Sequence, residues 1–99
     1  MKEIVECLNK AFENRVRLAL MSILVVNDSK DFNSLKQMLR LTDGNLATHI
    51  AMLERKRYLK IEKEFVGKKT QTTYSVTQAG RKAFSEHIDA MEKLIRRSR

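Results

Sequence analysis

Residues 41–77 read LTDGNLATHIAMLERKRYLKIEKEFVGKKTQTTYSVT, and the spacing of the apolar residues changes halfway along this stretch. Leu46, Ile50 and Leu53 recur every three or four residues, which indicates a helix that buries one face. Thr42 lies just before them, and its hydroxyl can accept a hydrogen bond from the first turn of such a helix. We therefore predict a helix whose N-cap is Thr42.

The second half of the stretch has a period of two. Over residues 59–65, the odd-numbered positions are apolar except for Lys63 and the even-numbered ones are charged, and further along Tyr74 and Val76 alternate with threonine and serine. This alternation is typical of β-strands that bury one face. The two strands are connected by residues 66–71, so the sequence predicts a β-hairpin with two lysines at its tip.

Upstream of residue 41, the pattern predicts two further helices. Residues 7–26 carry apolar side chains at helical spacing and are followed by the turn residues 27–29, so we predict one continuous helix there. A short second helix follows, for which either Asn33 or Ser34 can serve as the N-cap. The second helix and the helix capped by Thr42 are then about four residues apart, the spacing of a helix-turn-helix.

Downstream, Thr77 is predicted to cap a long final helix whose apolar residues recur at helical spacing as far as Ile95. The order of elements is helix, helix, helix, strand, strand, helix. The predicted fold class is therefore mainly α with a small β-hairpin. It is a winged helix-turn-helix with a three-helix core, a two-stranded wing and a long C-terminal helix.

The length of the chain fits a single domain. Its 99 residues are 42% apolar, which is enough for one small core. We therefore expect residues 1–99 to form one winged helix-turn-helix domain. The apolar pattern of the last helix runs past this core, so we expect residues 1–8 and 85–99 to be dimerisation extensions that pair across a two-fold axis.

The charge of the chain indicates an anionic partner. Lys and Arg number 20 and Asp and Glu 12, which gives a net charge of +8. On the third predicted helix, the face opposite the apolar stripe carries no carboxylate. The candidate DNA-binding residues of this face and of the first turn are Thr42, Asn45, Thr48, His49, Met52, Arg55 and Lys56.

These side chains suit the major groove of DNA. Asn45 can pair with the edge of adenine and Arg55 with that of guanine, while Thr48 and Met52 can contact a thymine methyl group. Lys56 is better placed for a phosphate. The hairpin tip adds Lys68, Lys69, Thr70 and Gln71 as candidates for the phosphate backbone or the minor groove. A solvated helix face, and lysines that protect a sheet edge, are the alternatives.

Other classes of site find little support. The single Cys7 excludes an intramolecular disulfide, and with His49 and His87 it gives no pair at metal-ligand spacing, so no metal or cofactor is expected. We also find no catalytic triad, no Cys–His pair and no Gly-rich phosphate loop, and therefore expect no enzyme.

The sequence also predicts a location. The most apolar run, residues 18–26, is much shorter than the roughly 20 residues of a membrane span, and the N-terminus lacks the pattern of a signal peptide. We expect a cytoplasmic protein without a membrane partner. The basic end at residues 93–99 would also suit an anionic membrane surface, but such ends are more often solubilising or DNA-contacting tails.

Three segments carry a resemblance to a known family. Residues 8–17, 41–50 and 72–81, with the strings T-D-G-N-L and T-x-Y-x-x-T-x-x-G-R, resemble small winged-helix transcriptional regulators related to the MarR and ArsR groups. The resemblance covers about residues 8–90. It implies double-stranded DNA as the ligand, a dimer as the working form, a third helix in the major groove and a hairpin wing beside it.

The exit of the third predicted helix departs from the family pattern, and the wing tip lacks the proline sometimes found there. A glycine often precedes the first wing strand, whereas this chain has Lys56, Arg57 and Tyr58. Because a left-handed residue other than glycine costs about 1 kcal/mol, we expect the helix exit to differ or to be strained.

The expected function is that of a sequence-specific regulator, in the simplest form a homodimeric repressor that occupies an operator. No residue cluster indicates an effector ligand. The alternative is a winged-helix protein-interaction module with only non-specific DNA affinity, because fold alone does not decide function. That alternative predicts sequence-blind DNA binding and an exposed apolar patch.

Overall fold

The computed structural model describes residues 1–97, with helices at both ends and a small sheet between them. The helices are α1 (Lys2–Glu6), α2 (Arg15–Val25), α3 (Phe32–Leu39), α4 (Asp43–Arg55) and α5 (Gln78–Arg97), with a 3-10 turn at Lys10–Phe12. The strands β1 (Lys30–Asp31), β2 (Leu59–Val66) and β3 (Lys69–Val76) form an antiparallel sheet in the order β1, β3, β2. The predicted winged helix-turn-helix is confirmed. Residues 98 and 99, the end of the predicted extension 85–99, lie outside the described residues.

The prediction of one continuous helix over residues 7–26 is wrong. The chain leaves the helical conformation at Asn9 and at Asn14, and both residues are extended N-caps. Asn9 Oδ1 accepts a hydrogen bond from the amide of Ala11 at 2.9 Å, and Asn14 Oδ1 accepts two from the first turn of α2 at 2.9 and 3.1 Å. An asparagine side chain competes in this way with the helical hydrogen bonds of its own backbone.

The predicted N-cap of α3 is also wrong, since Asp31 occupies that position instead of Asn33 or Ser34. Its carboxylate accepts hydrogen bonds from the amide of Ser34 at 3.2 Å and from the hydroxyl at 2.5 Å. Asp31 is extended because it lies in β1, where it pairs with Thr73 of β3. An N-cap requires an extended backbone, and here the sheet provides it.

The helix α4 has the predicted start. Thr42 Oγ1 accepts a hydrogen bond from the amide of Asn45 at 3.2 Å, and Leu46, Ile50 and Leu53 are all buried. The fully buried side chains of largest volume come from the 3-10 turn, α2, α3 and α4. They are Phe12, Leu20, Met21, Leu24, Leu35, Leu46 and Leu53. Each contributes about 1.5–3 kcal/mol of transfer free energy, so the helix-turn-helix is fixed by the core itself.

The hairpin turn is shorter than the predicted connection of residues 66–71. Strand pairing continues to Val66 opposite Lys69, which leaves Gly67 and Lys68 as a two-residue turn. Gly67 has φ of +66°, a conformation that two-residue hairpin turns require and that glycine adopts without strain. The last three residues of the predicted connection therefore belong to β3.

The start of α5 is locked against the end of α4. Thr77 Oγ1 accepts a hydrogen bond from the amide of Gly80 at 2.9 Å, as the predicted cap requires, and donates one to the carbonyl of Arg57 at 2.7 Å. A Cβ atom on Gly80 would lie 2.3 Å from the carbonyl oxygen of Tyr58. Arg57 has φ of +64°, so the chain takes the left-handed exit although no glycine is present.

Candidate nucleic-acid interface

The exposed face of α4 presents polar side chains from its first turn to its last. Thr42, Asn45, Thr48 and Arg55 are all exposed, and the hydroxyl of Thr48 donates a hydrogen bond to the carbonyl of Gly44 at 2.8 Å. The first-turn carboxylate of Asp43 lies outside this face. It pairs with Lys36 Nζ of α3 at 2.8 Å, so that its charge is partly compensated.

Two predicted residues of this face are half-buried. Met52 packs against the hydrophobic core, and His49 contacts the start of α2. The Nδ1 atom of His49 lies 3.1 Å from Nη1 of Arg17, whose Nε donates to the carbonyl of Ala11 at 2.7 Å. Burial and, to a smaller degree, the charge of Arg17 lower the pKa of His49. The imidazole is therefore neutral at neutral pH.

Lys56 lies apart from the other candidates. It is the C-cap of α4 and lines a groove of about 730 Å³ between α1 and α5, together with Glu3, Cys7 and Asp89. We call this the terminal groove. The structure therefore places Asn45, Thr48 and Arg55 on one exposed face and Lys56 at the edge towards the chain termini.

The strand register divides the wing into two faces. One face lies on the same side of the sheet as Ile61 and Tyr74, which pack in the core, and extends from them towards the hairpin turn; we call it the inner wing face. Because paired residues share a side and neighbours alternate, this inner wing face consists of Lys63, Phe65, Thr70 and Thr72. It holds no carboxylate, and the side chain of Phe65 is 82% exposed.

The opposite side, the outer wing face, has a different chemistry. It consists of Lys60, Glu62, Glu64, Val66, Lys69, Gln71 and Thr73. Lys60 Nζ pairs with Glu62 at 3.0 Å, so part of its positive charge is compensated within the face. Of the predicted wing residues, Thr70 lies on the inner face, Lys69 and Gln71 on the outer face, and Lys68 in the turn.

The sequence interpretation did not identify Lys63 and Phe65 as candidates. The signal was present, because both residues share the odd-numbered side of the strand with the buried Leu59 and the half-buried Ile61. Nearness to the hairpin tip does not distinguish the two sides of the sheet, whereas the position along the alternating strand does.

The terminal helices carry an apolar surface of their own. Val5 of α1 and Ile88, Met91 and Ile95 of α5 are exposed by 51%, 41%, 36% and 56% of their area. The three residues of α5 are spaced three and four apart, so they form one stripe along the helix. We call it the α5 stripe.

Between the α5 stripe and the core lies a polar link. The buried His87 of α5 accepts a hydrogen bond at Nδ1 from the amide of Asn9 at 2.9 Å, and Asn9 Nδ2 donates to the hydroxyl of Tyr58 at 3.0 Å. Burial lowers the pKa of His87, and the carboxylate of Glu13 opposes this in part. The link therefore requires a neutral histidine.

The described residues also bear on metal sites and membrane spans. Among residues 1–97, no group of three or more His, Cys, Asp or Glu side chains comes together in a way that could hold a metal ion. In the same part of the chain, none of the helices combines the length and apolar character needed to cross a membrane.

Comparison with known proteins identifies the family. The family model described as a winged helix DNA-binding domain matches residues 16–95. An uncharacterized protein of Methanocaldococcus jannaschii is 34% identical over 79 residues, which cover 80% of this chain and 86% of that protein.

Solved structures agree with this match. A transcriptional regulator homologue from Pyrococcus horikoshii superposes with a TM-score of 0.86 at 28% identity, over 96% of this chain and 95% of that one. HlyU from Vibrio cholerae gives a TM-score of 0.67 at 22% identity, over 85% and 87% of the two chains, which shows a shared fold. The resemblance seen in the sequence is thereby confirmed, and the chain belongs to the winged helix DNA-binding domain family.

Proposed function

We propose that the protein is a sequence-specific regulator of transcription that binds double-stranded DNA as a homodimer in the cytoplasm and represses by occupying its operator. The observation that carries this proposal is the exposed, carboxylate-free face of α4 with Asn45, Thr48 and Arg55, beside a wing whose inner face also lacks carboxylates. A net charge of +8 supports an anionic partner.

On α4, each side chain has a distinct role. Asn45 pairs with adenine, and Arg55 binds the edge of guanine. The hydroxyl of Thr48 is already bonded to its own helix, which leaves its methyl group for thymine. The free amides of the first turn, behind Thr42, bind a phosphate. Lys56 binds a phosphate of the DNA backbone, outside the major groove.

The wing binds the neighbouring part of the duplex. Lys63 and the turn residue Lys68 bind phosphates, and the exposed ring of Phe65 packs against sugars or an unstacked base step in the minor groove. Lys69 and Gln71, on the outer face, contribute phosphate contacts at the rim.

Dimerisation uses the α5 stripe. Its exposed apolar residues and Val5 of α1 cover one another across a two-fold axis, which sets two copies of α4 about 34–36 Å apart, one turn of DNA. We expect Met91→Glu with Ile95→Glu to convert a dimer into a monomer, as measured by light scattering. Lys82→Glu is the matched control, because it changes the net charge equally at an exposed site of α5 outside the stripe.

The central test is selection of bound sequences from a random duplex pool, followed by titration of the selected duplex at two salt concentrations. A two-fold symmetric motif that is still bound at the higher salt supports the proposal. Failure to enrich any motif, with binding that disappears in salt, contradicts it and favours a protein-interaction module.

Two variants separate the kinds of contact. Asn45→Ala should weaken binding to the selected duplex by about 1–3 kcal/mol and leave random DNA unaffected. Lys68→Ala with Lys69→Ala should weaken binding to all DNA and reduce the salt slope by about one unit per lost phosphate contact. Equal losses on both duplexes for Asn45→Ala would exclude its role in base recognition.

A further inference from the structure

Arg17 connects the start of α2 to the exposed face of α4. Its Nε donates a hydrogen bond to the carbonyl of Ala11 at 2.7 Å, which fixes the orientation of the guanidinium. Its Nη1 lies 3.1 Å from Nδ1 of His49. Arg17 and His49 are both half-buried, so this contact is partly shielded from water.

The chemistry of the pair decides where the imidazole proton lies. A guanidinium only donates hydrogen bonds and stays protonated, so Nδ1 of His49 must be the acceptor. The proton of the neutral ring is then on Nε2, on the side of the ring away from Arg17. Burial and the charge of Arg17 lower the pKa of His49, which keeps this form dominant at neutral pH.

We propose that Arg17 is a positioning residue that holds His49 in the Nε2–H tautomer, so that position 49 of α4 presents only a hydrogen-bond donor to DNA. This inference rests on the proposed function, because it assigns His49 a base to read. His49 follows Asn45 by one helical turn, so both lie on the same side of α4.

A donor fixed in this way selects among base edges. Guanine N7 and O6, adenine N7 and thymine O4 are acceptors in the major groove, whereas cytosine presents only its amino group, which is a donor, so a fixed donor discriminates against cytosine. A histidine free to change tautomer would accept from that amino group as readily as it donates to the acceptors. Arg17 thus determines specificity without itself contacting a base.

The first experiment needs no DNA. In nitrogen NMR of the free protein, we expect His49 to show the Nε2–H tautomer in the wild type and a mixture of tautomers in Arg17→Ala. Arg15→Ala is the matched control, since it removes the same charge from an exposed residue of the same helix turn and should leave the tautomer unchanged. His49→Gln assigns the signals, because the chain has two histidines. An unchanged tautomer in Arg17→Ala would overturn the proposal.

The second experiment measures the ratio of affinities for the selected duplex and for a duplex in which the base that faces position 49 is changed to cytosine. His49→Leu and Arg17→Ala should each reduce this ratio roughly tenfold. His49→Gln should keep most of it, because a carboxamide can accept from Arg17 and donate outward at once. If Arg17→Ala instead weakens both duplexes equally, Arg17 is a phosphate contact and the proposal is wrong.

The variants also distinguish an effect on folding from an effect on base recognition. Arg17→Ala removes the hydrogen bond to Ala11 as well, whereas the His49 variants leave it intact, so the contrast of His49→Gln with His49→Leu tests the donor independently. If selection yields no motif while the tautomer still depends on Arg17, the proposed function fails and base reading by His49 fails with it. If a motif is found and the tautomer does not depend on Arg17, only the role of Arg17 is overturned.

Discussion

The start of α5 and the half of the wing near the hairpin turn differ in how far their side chains are buried. The first, which we call the α5 junction, consists of Asn9, Tyr58, Thr77, Gly80 and His87. These residues are buried or half-buried, and hydrogen bonds or direct backbone contact join each of them to another residue. In the wing, by contrast, every residue from Glu62 to Gln71 is exposed.

This difference distinguishes side chains that stabilise the fold from side chains that are available to a partner. At the α5 junction, packing and hydrogen bonding within the protein account for the side chains. In the exposed half of the wing, near the hairpin turn, Phe65 contributes almost nothing to the core, because it is 82% exposed. The proposed function gives this exposed ring a partner, the DNA duplex.

The largest expected effect tests the α5 junction at Gly80. Gly80→Ala would bring Cβ to 2.3 Å from the carbonyl oxygen of Tyr58, and neither backbone can move freely. We expect the free energy of unfolding in urea to fall by about 3 kcal/mol. Gly44→Ala is the control, because its Cβ would have no neighbour within 4 Å, and it should gain about 0.5–1 kcal/mol. Equal effects of the two changes would show that the junction is loosely packed.

A smaller effect is expected at His87. His87→Leu leaves the amide of Asn9 without its acceptor and should cost about 2 kcal/mol of unfolding free energy. The pKa of His87 is lowered in the folded protein by burial, so the unfolded chain binds the proton more tightly. The contribution of the neutral histidine is therefore complete above pH 6.5 and is lost as the pH falls below that value.

Urea titrations between pH 5 and 8 measure this loss. The wild type should lose stability on acidification, and His87→Leu should lose less, with the remainder due to His49, whose pKa is also lowered. A variant as pH-sensitive as the wild type would mean that His87 does not titrate with unfolding.

The features that the sequence predicts well are those that depend on residues close together in the chain. Local signals placed the caps at Thr42 and Thr77, and helical spacing identified Leu46, Ile50 and Leu53 as buried. These features depend on neighbours within a few residues. The order of α2 to α5 with the two wing strands followed from them, because each of these elements has its own period, whereas α1 and β1 were not predicted.

Features that depend on distant contacts were not predicted. The strand β1 has two residues, too few to show alternation, and exists because β3 pairs with it. That pairing makes Asp31 the cap of α3. On α4, helical spacing alone placed Met52 and His49 with the exposed residues, although α2 and the core cover part of both.

A third prediction concerns the exit of α4, where a strained residue lies next to the α5 junction in the sequence. Arg57 has φ of +64°, and its carbonyl accepts a hydrogen bond from Thr77. Arg57→Gly relieves the left-handed strain but adds freedom to the unfolded chain, so we expect a gain of about 0.5–1 kcal/mol. Arg57→Ala is the control, because it removes the same side chain but keeps Cβ, and should show no gain. A gain from both would assign the effect to charge rather than to strain.

The smallest effect on stability is expected in the wing, and there it is the contrast in DNA binding that matters. Phe65→Ser on the inner wing face and Val66→Ser on the outer one both replace an exposed apolar residue, so each should change the free energy of unfolding by less than about 0.5 kcal/mol. Phe65→Ser should weaken binding to the selected duplex, whereas Val66→Ser should not.

Lys63→Ala and Lys60→Ala extend the comparison to charge. Lys63 lies on the carboxylate-free face, whereas Lys60 already pairs with Glu62, so Lys63→Ala should weaken binding more than Lys60→Ala. If the variants of the two faces weakened binding equally, the wing would act through its net charge alone, and the exposed ring of Phe65 would have no part in recognition.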